Sequence, residues 1–217
     1  MRSYRQYCAL AKALDVLGDR WTLLIVRELM LGGPSRYTDL RNGLPGIATN
    51  LLSERLRELE AAGVVGREDA PPPVATTLFS LTERGEALRP LLDELGIWGV
   101  PYMVEGPAPE DAFRGRWLAW PAERFLVDRE PDAPPVSMEL RAGEDPVVVE
   151  AAQGVVRSRP AVPNEDADLV LDGSAHAILG LLSGQIDLAE ARRRGITVTG
   201  EEHVLVRMRP QHAAVSS

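Results

Sequence analysis

The chain has 217 residues, 45% of them apolar, and a formal net charge of −8 at pH 7. That length suits one large domain or two small ones, and the apolar share supplies a core and excludes wholesale disorder. No apolar run approaches the roughly 18 residues that span a bilayer, and the start MRSYRQYCAL has no signal core, so a cytoplasmic protein without a membrane partner is expected.

Tyr7 to Leu17 reads as a helix with Leu10, Leu14 and Leu17 on one face, ended by Gly18. Asp19 is placed to cap a second helix, Arg20 to Leu31, whose Trp21, Leu23, Leu24, Ile25, Val26 and Leu29 leave little polar circumference. Such a helix belongs in the middle of a core. Gly32-Gly33-Pro34 stops it. A short strand is expected over Ser35 to Tyr37, then a short helix, Asp39 to Gly43, capped by Thr38, then a tight turn at Leu44-Pro45-Gly46.

The stretch GIATNLLSERLRELEAAGVV (Gly46 to Val65) follows. Leu52, Leu56 and Leu59 fall on one helical face, Thr49 is placed to cap the start, and Gly63 sits just past the end. Thr49, Asn50, Ser53 and Arg57 point away from the leucines. Asn and Arg make two-pronged contacts with base edges, and Ser and Thr single ones. An ordinary amphipathic surface helix would share this periodicity. The preceding helix and glycine-containing turn make the arrangement a helix-turn-helix.

Val64 to Arg67 and Thr77 to Leu81 read as a strand pair. The loop between them holds Pro71-Pro72-Pro73, which keeps it extended. A strand pair with a protruding loop in this place makes a wing. Thr82 then caps a helix carrying Leu88, Leu91, Leu92, Leu95 and Trp98, with a kink expected at Pro90. That helix is expected to pack on a second domain or a second copy of the chain, with packing on its own domain alone as the alternative.

Residues 1–106 carry 12 basic and 14 acidic groups, and 107–217 carry 12 and 18. The acidic total argues against indiscriminate nucleic-acid binding. Residues 34–67, however, hold five arginines (Arg36, Arg41, Arg55, Arg57, Arg67) against four acids, a local excess suited to phosphate.

LDVLGDRWTLLIVREL (Leu14 to Leu29), YTDLRNGLPGIATNLLSERLRELEAAGVV (Tyr37 to Val65) and LFSLTERGEALRPLL (Leu78 to Leu92) together resemble HxlR-type winged-helix transcription regulators. The resemblance covers the first hundred residues. It implies a homodimer binding double-stranded operator DNA through paired recognition helices, here Ala48 to Ala62. Thr49, Asn50 and Ser53 are then base-reading candidates, and Arg36, Arg41, Arg55 and Arg57 phosphate candidates. The wing departs from the family pattern: Pro71 to Thr77 has no basic residue, and Glu68 and Asp69 are acidic. The single cysteine, Cys8, sits where some family members place a redox-sensing thiol. A buried small hydrophobe is the alternative for it.

In the second half a helix is expected over Asp111 to Trp120, ended by Pro121. Strands are expected over Val136 to Leu140, Val147 to Val149, Val155-Val156, Asp168 to Asp172 and Ile196 to Thr199 as the last, with a hairpin turn at Ala152 to Gly154. Ser174 caps a helix to Ser183, Leu188 to Arg194 is a short helix, and the tail from Gln211 reads as disordered. The class is α+β: a winged helix-turn-helix domain (1–106), then an α+β domain (107–217).

ADLVLDGSAHAILGLLSGQIDLAEARRRGITVTG (Ala167 to Gly200) resembles sterol-carrier-protein-type domains, which implies helices over a curved sheet around a hydrophobic small molecule. Trp117, Trp120, Phe125, Leu140 and Leu181 are the ligand-binding candidates, with plain core packing as the alternative. His176, His203 and His212 have no metal-ligand spacing and no nucleophile nearby, so no metal, cofactor or catalytic residue is expected. The expectation is a DNA-binding regulator that senses a hydrophobic molecule. The alternative is a hydrophobic-ligand carrier with weak or no DNA affinity.

Overall fold

The computed structural model describes residues 3–71, 76–103 and 105–210. The chain divides into two units, Met1–Tyr102 and Met103–Ser217, in a mixed α+β class.

The first unit runs α1 (Ala9–Leu17), α2 (Thr22–Gly32), β1 (Ser35–Arg36), α3 (Tyr37–Gly43), α4 (Thr49–Ala61), β2 (Val65–Asp69), β3 (Thr77–Leu81), α5 (Glu83–Glu86) and α6 (Arg89–Gly99). Its core joins Ile25, Val26 and Leu29 of α2 to Leu40 of α3 and to Leu52, Leu56 and Leu59 of α4. Burying each such side chain is worth about 1.5–3 kcal/mol. Strand β3 is central. It pairs antiparallel with β2 from Leu81↔Val65 to Thr77↔Asp69, and with β1 at Phe79↔Ser35 and Leu78↔Arg36. The wing is therefore sewn to the segment leading into α3. Its prolines Pro72 and Pro73 lie outside the described residues.

The end of α4 follows from Gly63, whose φ of +69° suits a residue without Cβ. Its N–H donates to the Glu60 carbonyl and that of Val64 to the Leu59 carbonyl, each at 2.9 Å, which closes the helix in a Schellman turn. Gly85 has a different reason: a Cβ there would stand 2.3 Å from the Val64 carbonyl oxygen, so α5 presses on the start of β2.

Several helix starts differ from expectation. Asp19 does not cap α2 with its side chain, which pairs instead with Arg55. The short helix begins at Tyr37 rather than Asp39; Asp39 Oδ2 accepts from the Arg36 N–H at 3.3 Å, and Thr38 lies inside the first turn. Ala48, not Thr49, occupies the N-cap of α4 and gives no side-chain cap. The expected kinked helix is two helices. Thr82 caps the four-residue α5 by accepting from the Gly85 N–H at 3.2 Å, and Pro90 lies in the first turn of α6, where its missing N–H breaks nothing.

The second unit contains a 3₁₀ turn (Gly115–Leu118), α7 (Ala119–Phe125), β4 (Leu126–Asp128), β5 (Val136–Arg141), β6 (Val147–Ala152), β7 (Val155–Pro160), β8 (Leu169–Asp172), α8 (Ala175–Leu182), α9 (Leu188–Arg193), β9 (Thr197–Gly200), α10 (His203–Arg207) and β10 (Met208–Pro210). The main sheet has the order β7-β6-β5-β8-β9, with β5 and β8 parallel and the other pairs antiparallel. Alternation places Met138, Leu140, Val147, Val149, Leu169 and Leu171 on one buried face. Helix α7 packs on β6, β7 and α8. Hydroxyl and carboxylate caps start α8 at Ser174, 3.3 Å from the Ala177 N–H, and α9 at Asp187, 2.7 Å from the Glu190 N–H.

The helix expected from Asp111 starts later. Pro121 is the third residue of α7 and opens that helix instead of ending a previous one. Strand β9 is not the last, because β10 pairs antiparallel with β4, a strand absent from the sequence reading. The β6–β7 turn is Gln153-Gly154, with φ of +52° and +79°, the left-handed pair a type I′ hairpin requires. The outer edge of β7 is occupied: Glu123 of α7 accepts from the Ser158 N–H at 2.7 Å and from its hydroxyl at 2.6 Å. Among the described residues no helix is long and apolar enough to cross a membrane.

A buried ion pair locks the small sheet to the large one. Arg207 donates through Nε and Nη2 to Asp128 (2.8 and 3.2 Å), and also to the carbonyls of Pro134 (2.5 Å) and Ala151 (3.3 Å). Asp128 further accepts from the N–H groups of Glu130 and Gly154, each at 3.0 Å. The Arg207 guanidinium beside it holds the Asp128 carboxyl down at about 2. A carboxyl depressed in the folded state stabilises above its ordinary range, and that stability is lost as pH falls toward 2. Asp128→Asn leaves Arg207 buried without its counter-charge, and a loss of about 3–5 kcal/mol is expected in denaturant unfolding followed at neutral pH. Wild type and variant should converge only as pH falls through about 2, where the wild-type carboxyl also takes up its proton.

Candidate nucleic-acid interface

Helix α4 has two unlike sides. Leu52, Leu56 and Leu59 are buried in the core, whereas Thr49, Asn50 and Arg57 are exposed. The same alternation that fills the core thus turns the short polar residues of the first turn, and one guanidinium, outward. Arg57 Nε donates to the Ser53 carbonyl at 3.2 Å, which holds the side chain back along the helix.

The first turn is held from outside the helix. The Tyr37 hydroxyl donates to the Thr49 carbonyl at 2.6 Å. Ser53 Oγ stands 3.1 Å from that hydroxyl and 3.1 Å from the same carbonyl. Ser53 is therefore half-buried and already bonded, unlike Thr49 and Asn50. Tyr37 escaped the sequence reading. It packs against the apolar core while its hydroxyl reaches α4, a dual character typical of tyrosine.

The arginines separate into groups. Arg36 and Arg41 are exposed at the two ends of α3. Arg67 lies 3.3 Å from Glu60. Arg55 is only 11% exposed and is paired with Asp19, with Glu58 at 2.7 Å and with Glu54 at 3.2 Å. Its guanidinium ties the α1–α2 connection to α4.

Elsewhere, Cys8 is exposed at the N-cap of α1. In the second unit Trp120 meets Phe125 edge-on at 5.9 Å, and Trp117 meets Phe113 edge-on at 5.8 Å, so Trp117 and Trp120 belong to different aromatic pairs. Leu140 is wholly buried in the sheet face, and Leu181 is half-buried on α8. His203 Nδ1 lies 3.2 Å from Glu201 on the surface. His212 is outside the described residues.

Residues 16–106 match the family described as HxlR-like helix-turn-helix. The chain is similar to the "Uncharacterized HTH-type transcriptional regulator YvaP" of Bacillus subtilis (strain 168), at 41% identity over 92 residues, 42% of this chain and 84% of that protein. It is also similar to the HTH-type transcriptional regulator YodB of the same organism, at 35% identity over 94 residues, 43% of this chain and 83% of that protein. The solved structure of reduced YodB aligns over 47% of this chain and 100% of its own, with 33% identity and a TM-score of 0.40. Residues 107–217 lie outside the family match.

Arg55→Met keeps the length of the side chain but leaves Asp19, Glu54 and Glu58 without their shared cation. A loss of about 1 kcal/mol of unfolding free energy, read as a lower denaturant midpoint, is expected, because the cation is mostly buried but Asp19 and Glu54 are more than half exposed. An unchanged midpoint would mean that the cluster is no tie.

Proposed function

The chain belongs to the HxlR-like helix-turn-helix family, and from that premise we propose that this transcription regulator binds operator DNA as a homodimer through α4. The observation that carries the reading is the exposed polar first turn of α4, with Thr49 and Asn50 facing outward from a helix anchored by three buried leucines. Asn50 and Thr49 read base edges, and Arg36, Arg41 and Arg57 meet phosphates. Arg55, committed to carboxylates, is left out of that set, and Ser53 contributes through its fit to Tyr37.

The dimer reading rests on apolar surface left uncovered in the first unit. Leu10 and Leu14 of α1 are exposed, and so are Leu91, Leu95 and Trp98 of α6, with the Tyr102 ring tilted against Trp98 at 5.3 Å. A monomer rarely leaves such a stripe in water. Leu95→Glu/Trp98→Glu is expected to turn a dimer into a folded monomer in sedimentation equilibrium. A wild-type protein that sediments as a monomer at every concentration would remove this part of the proposal.

The second unit, in our reading, takes a hydrophobic small molecule near Trp117, Trp120 and Phe125, as its resemblance to sterol-carrier-type domains suggests. Such a molecule changes operator affinity only if it binds one state of the protein better than the other. A second reading, a carrier with little DNA affinity, is favoured by one observation: the wing strand ends in exposed Glu68 and Asp69 where phosphate contact would want cations.

The deciding experiment is an electrophoretic mobility shift with the DNA upstream of the protein's own gene. A discrete complex below about 1 μM protein is expected. It should be lost in Asn50→Ala/Arg57→Ala and should weaken steeply with salt, as phosphate contacts demand. Absence of a shift, or a shift indifferent to the double substitution, would transfer the weight to the carrier reading.

A further inference from the structure

The N-terminal turn of α4 presents an inconsistency. It carries the outward-facing Thr49 and Asn50, yet its N-cap residue is Ala48, whose methyl group accepts nothing from the free N–H groups of the turn. A helix start without a side-chain cap frays, and a frayed turn cannot hold two side chains in the geometry that base recognition needs. Something else must fix it.

Within bonding distance of that turn lies a second polar group: the Tyr37 hydroxyl, 2.6 Å from the Thr49 carbonyl oxygen. Its proton is spent on that carbonyl. One of its lone pairs faces Ser53 Oγ at 3.1 Å. Tyr37 is itself fixed from behind. Its ring packs against the core, the preceding Arg36 is in the β1–β3 ladder, and the Arg36 N–H is held by Asp39. The hydroxyl is thus a rigid post standing between the wing sheet and the reading turn.

We propose that Tyr37 is the positioning residue of the DNA-reading surface: its hydroxyl, with Ser53, braces the uncapped start of α4 through the Thr49 carbonyl and sets the presentation of Thr49 and Asn50. The inference rests on the DNA-binding reading above and deepens it. Tyr37 touches no base. It governs discrimination between sequences, whereas affinity for the phosphate backbone belongs to the exposed arginines of α3 and α4. Two consequences separate this role from a plain contribution to stability. Loss of the hydroxyl weakens the preferred sequence and spares a scrambled one. A serine at position 48, whose backbone already has the extended φ of −72° and ψ of 140° that a cap requires, orders the same turn by a different bond, accepting from its free N–H groups, and so offsets loss of the hydroxyl.

The test uses the full chain. Wild-type protein is used to enrich duplexes from a randomised pool. Tyr37→Phe and Tyr37→Phe/Ala48→Ser are then titrated by fluorescence anisotropy against the enriched duplex and a scrambled duplex of equal length. Tyr37→Phe keeps the ring and the core. It is expected to lose about tenfold on the enriched duplex, the worth of one or two neutral hydrogen bonds, with the scrambled duplex and its salt slope unmoved. Ala48→Ser should recover most of the loss. Hydrogen exchange on the free protein should show the amides of residues 49–53 faster in Tyr37→Phe and slowed again in the double variant. Tyr37→Phe that matches wild type on both duplexes, or weakens both equally, overturns the positioning role while leaving the regulator reading intact. Wild-type protein that enriches no sequence overturns the regulator reading itself, and this inference with it.

Discussion

One face of α4 must be buried for the first unit to exist. Leu52, Leu56 and Leu59 are the buried members of the core supplied by this helix, packed in one cluster with Ile25, Val26 and Leu29 of α2 and Leu40 of α3. That burial also fixes the rotation of the helix about its axis. A helix with three leucines inward has no freedom to choose which residues face outward, so Thr49, Asn50 and Arg57 are exposed as a by-product of packing. Stability and recognition are two readings of one rotation.

Rotation alone leaves the end of the helix undetermined. The C-terminus is closed by its own backbone through Gly63, whereas the N-terminus borrows Tyr37 from the neighbouring helix. The difference is chemical. A left-handed glycine satisfies carbonyls locally, whereas Ala48 offers the orphan N–H groups no acceptor, and the turn is braced instead through its Thr49 carbonyl, which accepts from the Tyr37 hydroxyl. Further along, Arg55 joins the α1–α2 connection to the same helix through carboxylates. Helix α4 is thereby tied to its surroundings at its start, its middle and its close.

Periodicity made much of the fold legible. The leucine stripe of α4, the caps at Thr82 and Ser174, the glycine after α4 and the hairpin at Gly154 are local signals, and local signals are what a chain displays in order. The starts of α3 and α4 each lie earlier than a capping threonine suggests. Thr38 and Thr49 are good capping types, but Asp39 accepts from the Arg36 N–H within the same turn, and Thr49 lies already inside α4, its carbonyl accepting from the Tyr37 hydroxyl. In sequence Pro90 and Pro121 look like interruptions, although a proline is as much at home in a first turn. Strands β4 and β10 went unseen because each is three residues long and their pairing is remote in sequence. The roles of Tyr37 and Arg55 were hidden for the same reason: a side chain names its chemistry, not its partner. Arg207 looks like any surface arginine until Asp128 is found beside it.

The contact between Glu123 and Ser158 bears on how this protein behaves at high concentration. Strand β7 ends the main sheet on one side, and a bare edge invites another chain to add a strand. By occupying the Ser158 N–H and hydroxyl, the Glu123 carboxylate removes a donor that an incoming strand would need and sets a negative charge in its path. A helix that serves the interior with its alanines thus guards the rim of the sheet with its glutamate, and the second unit gains a built-in barrier to edge-to-edge polymerisation on that side.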